Sequence, residues 1–204
     1  MKAMKRTWSL VLALLLTLGL FAVLPQSAEA AAANNKAAYK AYTTWIRKGA
    51  DYQGTKYTKF ALVRIDGDST PELIATVQND TYYESSCYVV LSYKKGKLVK
   101  KRFDGGVWGG ASYIPGKGKL YQFSYNRGSG MIYEDIYRLS SKGFSSVHGE
   151  YRNDWEPSLI KWNSKQVSKT VYEKNIHKAF NTSEAQSFEK ITFKSKTAIL
   201  KKLK

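Results

Sequence analysis

The sequence predicts an α+β fold, an antiparallel β-meander sheet with an N-terminal helix and C-terminal helices packed on it. Three observations carry this. Apolar residues recur at helical spacing between residues 35 and 49 and again after residue 168. The middle of the chain breaks into short runs rich in β-branched and aromatic residues. The turns between those runs are too short for crossover connections, so consecutive strands must run antiparallel.

Taken in order, residues 1–30 read as a secretory signal peptide. Lys2, Lys5 and Arg6 form a basic start, Leu10 to Leu24 an apolar run, and Ala28-Glu29-Ala30 an Ala-x-Ala cleavage site. The apolar run is shorter than the ~20 residues a spanning helix needs and is closed by Pro25, so no membrane span is expected after cleavage. Residues 31–204 are then expected to form one secreted, extracellular domain. Ala38, Tyr42, Trp45 and Ile46 share a helical face between Asn35, read as the cap, and Gly49, read as the stop. Strands are expected over 57–65, 73–78, 87–93, 98–103, 119–125, 131–139 and 158–162, with Lys95-Gly96, Gly116-Lys117-Gly118 and Lys142-Gly143 as turns. Ser168 caps a helix running through Val171, Tyr172, Ile176, Ala179 and Phe180, and Ser195 caps a last one carrying Ala198, Ile199 and Leu203.

Charge and cysteine content narrow the function classes. The 204 residues include 33 Lys and Arg against 16 Asp and Glu, a net charge of +17, which signal removal lowers by two. Such a surface attracts polyanions through long-range, salt-screened steering, or is simply a solvated surface with no dedicated partner. Cys87 is the only cysteine, which excludes an intrachain disulfide and leaves stability to the core. Export without disulfides points towards a bacterial source, and a monomer is expected.

The segment Arg64-Ile65-Asp66-Gly67-Asp68-Ser69-Thr70-Pro71-Glu72 has the rhythm of a short calcium loop. Such loops alternate side-chain oxygens with a glycine that allows a sharp turn and one backbone carbonyl. Asp66, Asp68, the Thr70 carbonyl and Glu72 keep the pattern and are the candidate metal ligands, with Ca2+ as the candidate cofactor. Arg64 stands where the first carboxylate belongs and Ser69 where a glycine would ease the turn. An arginine beside three carboxylates can supply the ion's charge itself, so Arg64 is expected to replace the metal. The other reading is a metal-free turn in which Asp66 and Asp68 bond to backbone amides.

With Phe60-Ala61-Leu62-Val63 before the loop and Leu73-Ile74 after it, this unit resembles the strand, acidic loop and strand of uncharacterised secreted proteins of gut Firmicutes. Ser112-Tyr113-Ile114-Pro115-Gly116-Lys117 and Tyr133-Glu134-Asp135-Ile136-Tyr137-Arg138-Leu139 are similar to later strands of such proteins. The resemblance implies a Gram-positive exporter and no defined activity. The loop alone is similar to the calcium loops of dockerins and integrin-type propeller repeats.

Other motifs carry less chemistry. Trp108, within Gly105-Gly106-Val107-Trp108-Gly109-Gly110, is either an exposed platform for a sugar or other flat ligand, or folded back on the core; the cluster lacks the Gly-Lys-Ser/Thr of a phosphate loop. Cys87 could pair with His148 or His177 in a thiol nucleophile, yet it sits in an apolar strand where cysteine behaves as a small hydrophobe. A glycan hydrolase would need two carboxylates flanking a cleft, with Glu134 and Asp135, or Asp154 and Glu156, as candidates beside Tyr133, Tyr151 and Trp155. Neighbouring strand residues face opposite ways, which argues against the first pair. Zinc-ligand spacings and dedicated nucleic-acid motifs are absent from the sequence. Lys94, Lys95, Lys100 and Lys101 on the expected hairpin, with Trp108, are the candidate ligand-binding residues. The reading is a non-enzymatic secreted binding or structural protein whose partner is an anionic wall polymer or glycan. The alternative is an extracellular glycan hydrolase using a carboxylate pair.

Overall fold

The computed structural model describes residues 28–77, 87–104, 108–153, 155–156 and 160–204, with backbone alone for 28–30 and 149–152. The signal-peptide reading up to residue 27, Gly105 to Val107, Asp154, the Tyr151 side chain and the ends of two expected strands lie outside the described residues. The chain divides into two compact units, residues 1–34 and 35–204. What is described of the first belongs to helix α1, Ala28–Arg47. No helix among the described residues is long and apolar enough to cross a membrane.

The α+β architecture is present, but its strands form two five-stranded antiparallel sheets where one was expected. After α1 comes a small hairpin, β1 (Asp51–Tyr52) with β2 (Thr55–Lys56). Sheet one is built from β3 (Lys59–Val63), β4 (Glu72–Thr76), β5 (Cys87–Lys94) and β6 (Lys97–Asp104). The chain then crosses to sheet two, made of β7 (Gly110–Ile114), β8 (Lys119–Asn126), β9 (Met131–Ser140) and β10 (Gly143–Asn153). A second small hairpin, β11 (Lys161–Trp162) with β12 (Lys165–Gln166), leads into α2 (Lys169–Ala179). The last segment stitches the sheets: β13 (Gln186–Ser187) adds to β7 in sheet two and β14 (Lys194–Ser195) to β3 in sheet one, before α3 (Lys196–Lys202). The strand orders are β14-β3-β4-β5-β6 and β10-β9-β8-β7-β13.

Side-chain alternation produces the layering. In β5, Cys87, Val89 and Leu91 face α1 and α3, meeting Ala38, Tyr42, Trp45, Ile46, Ile199 and Leu203. Tyr88 and Val90 face the other way, onto sheet two, meeting Phe103, Tyr113, Leu120, Leu139 and Phe188. A strand buried on both faces must be apolar at nearly every position, which is why 87–91 reads as an unbroken run. Phe188 is the aromatic plug of the inter-sheet layer, edge-on to Tyr88 at 5.2 Å and to Phe103 at 5.7 Å. The outer face of sheet two is covered by α2 through Tyr172, Ile176 and Phe180. The helices therefore lie on opposite outer faces, α1 and α3 on sheet one and α2 on sheet two.

The caps behave as the sequence predicts. Ser168 accepts from the Val171 amide and Ser195 from the Ala198 amide, each replacing a missing intrahelical bond. At the N-terminal helix the expected start is corrected: Asn35 lies inside α1. Several strands lie outside the expected runs: the two-residue strands β1, β2, β12, β13 and β14, and two longer ones, β7, which only the resemblance at residues 112–117 indicated, and β10. Strand β10 is irregular, because a bulge between Ser146 and His148 leaves Val147 exposed and breaks the period-two pattern.

Candidate functional site

The acidic turn links β3 to β4 and folds into an ion-paired knot whose cation is a lysine from another strand. Lys94 Nζ lies 2.5 Å from Asp66 Oδ2, 2.6 Å from Asp68 Oδ2 and 3.6 Å from Glu72 Oε1. Lys94 is only 7 % exposed and Glu72 is fully buried. The register explains the meeting. Tyr88, Val90, Ser92 and Lys94 alternate onto the inter-sheet side of β5, and Leu73 pairs with Leu91, so Glu72 at the start of β4 falls beside Ser92.

Hydrogen bonds tie the carboxylates and backbone of the turn, while the buried Ser69 hydroxyl finds no partner among the described residues. The Asp68 amide donates to Asp66 Oδ1 at 3.2 Å and the Thr70 amide to Asp68 Oδ1 at 2.8 Å, the Asx bonds expected of a metal-free turn. The Ile65 amide donates to Glu72 Oε2 and the Ser92 hydroxyl to Glu72 Oε1, both at 2.9 Å. Tyr42 of α1 donates to the Pro71 carbonyl. On the sheet-two side the Gly118 amide donates to the Ile65 carbonyl at 2.8 Å, and the Leu139 amide to the Gly118 carbonyl at 2.7 Å. Gly118 adopts φ +65°, and a β-carbon there would sit 2.4 Å from the Leu139 carbonyl oxygen, so the turn can dock only because residue 118 has no side chain.

The electrostatics follow from burial. Loss of solvation, helped by the Asp66 charge, pushes the Glu72 carboxyl up to about 7, against the Ile65 amide, Lys94 and Ser92, which pull it down. For Lys94 burial opposes the charge, but the bonds to Asp66 and Asp68 and the Glu72 charge outweigh it and raise the ammonium pKa. Desolvation, then the nearby Glu72 and Asp68 charges, raises the Tyr42 phenol.

Three of the four expected metal ligands thus converge. One carboxylate oxygen from each of Asp66, Asp68 and Glu72 falls within 4.8 Å of the others, a set that could hold a metal ion. Thr70 is buried beside them. Arg64 is corrected: its side chain is exposed, and its carbonyl accepts from the Gly116 amide. The alternation of β5 held the signal for Lys94, since a lysine two places beyond Ser92 on an inward face needs a carboxylate partner.

The expected ligand-binding residues are not gathered into one patch. Lys94 is buried in the knot, which removes it from the surface set. Lys95 is exposed in the β5–β6 turn at φ +50°. Lys100 and Lys101 occupy opposite faces of β6, with ammonium groups 4.9 Å over the Tyr52 ring and 4.2 Å over the Tyr137 ring. Trp108 is 47 % exposed, with the Arg127 guanidinium 3.5 Å over its ring. The indole is neither folded into the core nor bare on both faces.

The catalytic candidates separate. Cys87 is buried against the Tyr57 hydroxyl at 3.5 Å, and burial raises its thiol pKa, the opposite of an activated nucleophile. His148 stacks on Trp162 at 3.9 Å beyond sheet two, and His177 is exposed on α2. Glu134 and Asp135 take opposite faces of β9. Glu134 lines a cleft of about 390 Å³ with Tyr121, Tyr172, Glu173, Ile176, His177 and Thr182. Asp135 faces Lys101 and Tyr137 in the inter-sheet layer. No protein-family model, curated protein or solved structure matches this chain.

Proposed function

We propose that the protein is a secreted, non-enzymatic binding protein that associates with anionic wall polymer or glycan through its outer helical layer. One observation carries this reading. Lys36, Lys40 and Arg47 of α1 and Lys196, Lys201 and Lys202 of α3 are all exposed on the helices covering the same face of sheet one. Among the described side chains of these helices none is acidic. A one-signed field of this kind raises the local concentration of a polyanion and speeds its capture. The acidic turn complements it as an internal brace: Lys94 is its resident cation, and Ca2+ would enter only where that ammonium is withdrawn. The resemblance of the turn and its flanking strands to secreted Firmicutes proteins supports the exported location.

The test is retention of the full chain on isolated anionic wall polymer across a salt series, with a Lys196→Glu, Lys201→Glu, Lys202→Glu variant alongside. Retention should fall as salt rises and fall further in the variant. Retention that ignores both salt and charge reversal would refute the proposal.

A further inference from the structure

The three lysine-bearing turns of the sequence, Lys95-Gly96, Gly116-Lys117-Gly118 and Lys142-Gly143, come together at one end of the two sheets. Backbone and packing contacts fix the convergence. The β7–β8 turn is held to the acidic turn by the Gly116 amide, which donates to the Arg64 carbonyl at 3.3 Å, and by the Gly118 amide, which donates to the Ile65 carbonyl at 2.8 Å. The Leu139 amide donates to the Gly118 carbonyl, which brings in the end of β9. A β-carbon on Gly143 would lie 3.4 Å from the Val99 side chain, so the β9–β10 turn sits beside the start of β6. Arg64, Lys95, Lys97, Lys117, Arg138 and Lys142 are all exposed at this end. None of the six takes part in an ion pair among the described residues.

The counter-charge at this end lies inside the fold. Asp66, Asp68 and Glu72 share Lys94, which leaves the knot at most two charges negative against six exposed cations. Glu184, two residues before β13, is exposed and its Oε1 accepts from Asn181 at 2.6 Å. Thr76 pairs with Tyr88, Cys87 with Asp104 and Asn153 with Met131, each at the strand end remote from these turns, and the undescribed acidic positions 80, 84 and 154 adjoin those ends. Glu150 stands seven residues along β10 from Gly143, roughly 20 Å at the rise of a strand and beyond the Debye length of about 8 Å.

Shape separates this surface from the helical layer. Lys36, Lys40 and Arg47 fall within a stripe of about 40° along α1, a line suited to a linear polymer. The turn cations stand instead on three separate tips and the strand ends beside them, and no described bond draws two of them together as a site for one small anion requires. Tips at one end of stacked sheets can meet a plane together. The large hydrophobic side chains exposed among the described residues, Trp108, Tyr133, Val147, Trp155 and Val171, lie off these turns, so such contact rests on charge without insertion. We propose that this end docks on an anionic phospholipid bilayer, with its lysines and arginines at the headgroup level.

The test is sedimentation with vesicles of phosphatidylcholine, with and without phosphatidylglycerol, at neutral pH and across a salt series. It uses the chain from Ala31, which keeps every core residue and lacks the apolar run that would bind any bilayer. The chain should sediment with the anionic vesicles alone and be released as salt rises. A basic residue near such a surface is worth roughly fivefold in binding, so joint Lys95→Glu, Lys117→Glu and Lys142→Glu substitutions should weaken it by about a hundredfold or more. Arginine at the same three positions should bind as the parent does. Lys196→Glu, Lys201→Glu and Lys202→Glu together should keep most vesicle binding while losing polymer retention, which makes failure here and failure of the helical layer distinguishable. Equal sedimentation with both vesicle types, sedimentation with neither, indifference to salt, or a turn-reversed chain that binds like the parent would overturn the proposal. So would vesicles ignored while polymer retention falls in the turn-reversed chain, an outcome that assigns the turns to the polymer. The lipid and salt comparisons use the parent alone and do not depend on the folding of any variant.

Discussion

Replacing Lys94 by methionine removes the charge of the knot while keeping most of the apolar stem, so the change isolates the ammonium. The variant leaves Asp66, Asp68 and Glu72 with oxygens within 4.8 Å of one another and no counter-charge. Breaking a buried pair by deleting one partner costs about 3–5 kcal/mol, because the other charge stays buried and unpaired. Asp68 is partly solvated, with 39 % of its side chain exposed, so its share is screened and the lower end applies, about 3 kcal/mol. For a chain of this size that is a fall in Tm of roughly 6–12 °C. Urea unfolding at pH 7 measures the free energy directly. The loss should shrink at pH 5, because Glu72, whose carboxyl burial holds above its ordinary value in the folded chain, takes up a proton that the unfolded chain largely does not, and its protonation relieves the repulsion. Millimolar CaCl2 should raise the variant's midpoint and leave the parent's unchanged, since only the variant offers an unpaired oxygen set. A loss below about 1 kcal/mol at pH 7, where exposed pairs fall, or equal calcium stabilisation of both chains would refute the assignment of Lys94 as the resident cation.

Three other outcomes follow from the same geometry. Glu72 has a folded-state pKa of about 7 against an ordinary value of 4.5, so the folded chain binds the extra proton between those limits and Glu72 costs stability as pH rises through them. Glu72→Gln removes that titration, and its stability deficit relative to the parent should narrow by about 3 kcal/mol between pH 4 and pH 8 in urea melts. Gly118→Ala forces a side chain into φ +65° and against the Leu139 carbonyl, and should cost about 3 kcal/mol by the same measurement. The Cys87 thiol should resist a disulfide reagent at pH 8 in the native chain and react once urea unfolds it; rapid native labelling would contradict its burial against Tyr57.

Local signals were legible where local physics decides. Ser168 and Ser195 cap helices because a serine oxygen can serve an amide three residues on, a relation contained within four positions. The hairpin at Lys95-Gly96 needed only two residues able to take positive φ. Division into two sheets was not legible, because β6 pairs with β5 and β7 with β8 by the same antiparallel rule. Short turns reveal that neighbours pair, not that the chain changes sheet between 104 and 110. The sheet-stitching strands β13 and β14 are two residues long and are fixed by long-range partners, so no periodicity could announce them.

The acidic turn shows the same division inside a single site. Its carboxylates were found by spacing, because Asx bonds reach two residues and Glu72 must return to the Ile65 amide at the mouth of the turn. Spacing also put the cation on Arg64, the nearest basic residue in sequence. Position in the fold overrules it. Arg64 follows the last residue of β3 and keeps its guanidinium in water at no cost, whereas Lys94 is carried inward by the alternation that buries Tyr88 and Val90. An inward lysine at a sheet end is unstable without anions, and three inward carboxylates are unstable without a cation. Each strand presents the charge that the other cannot bury alone, so pairing across β4 and β5 fixes both the register and the occupant of the loop.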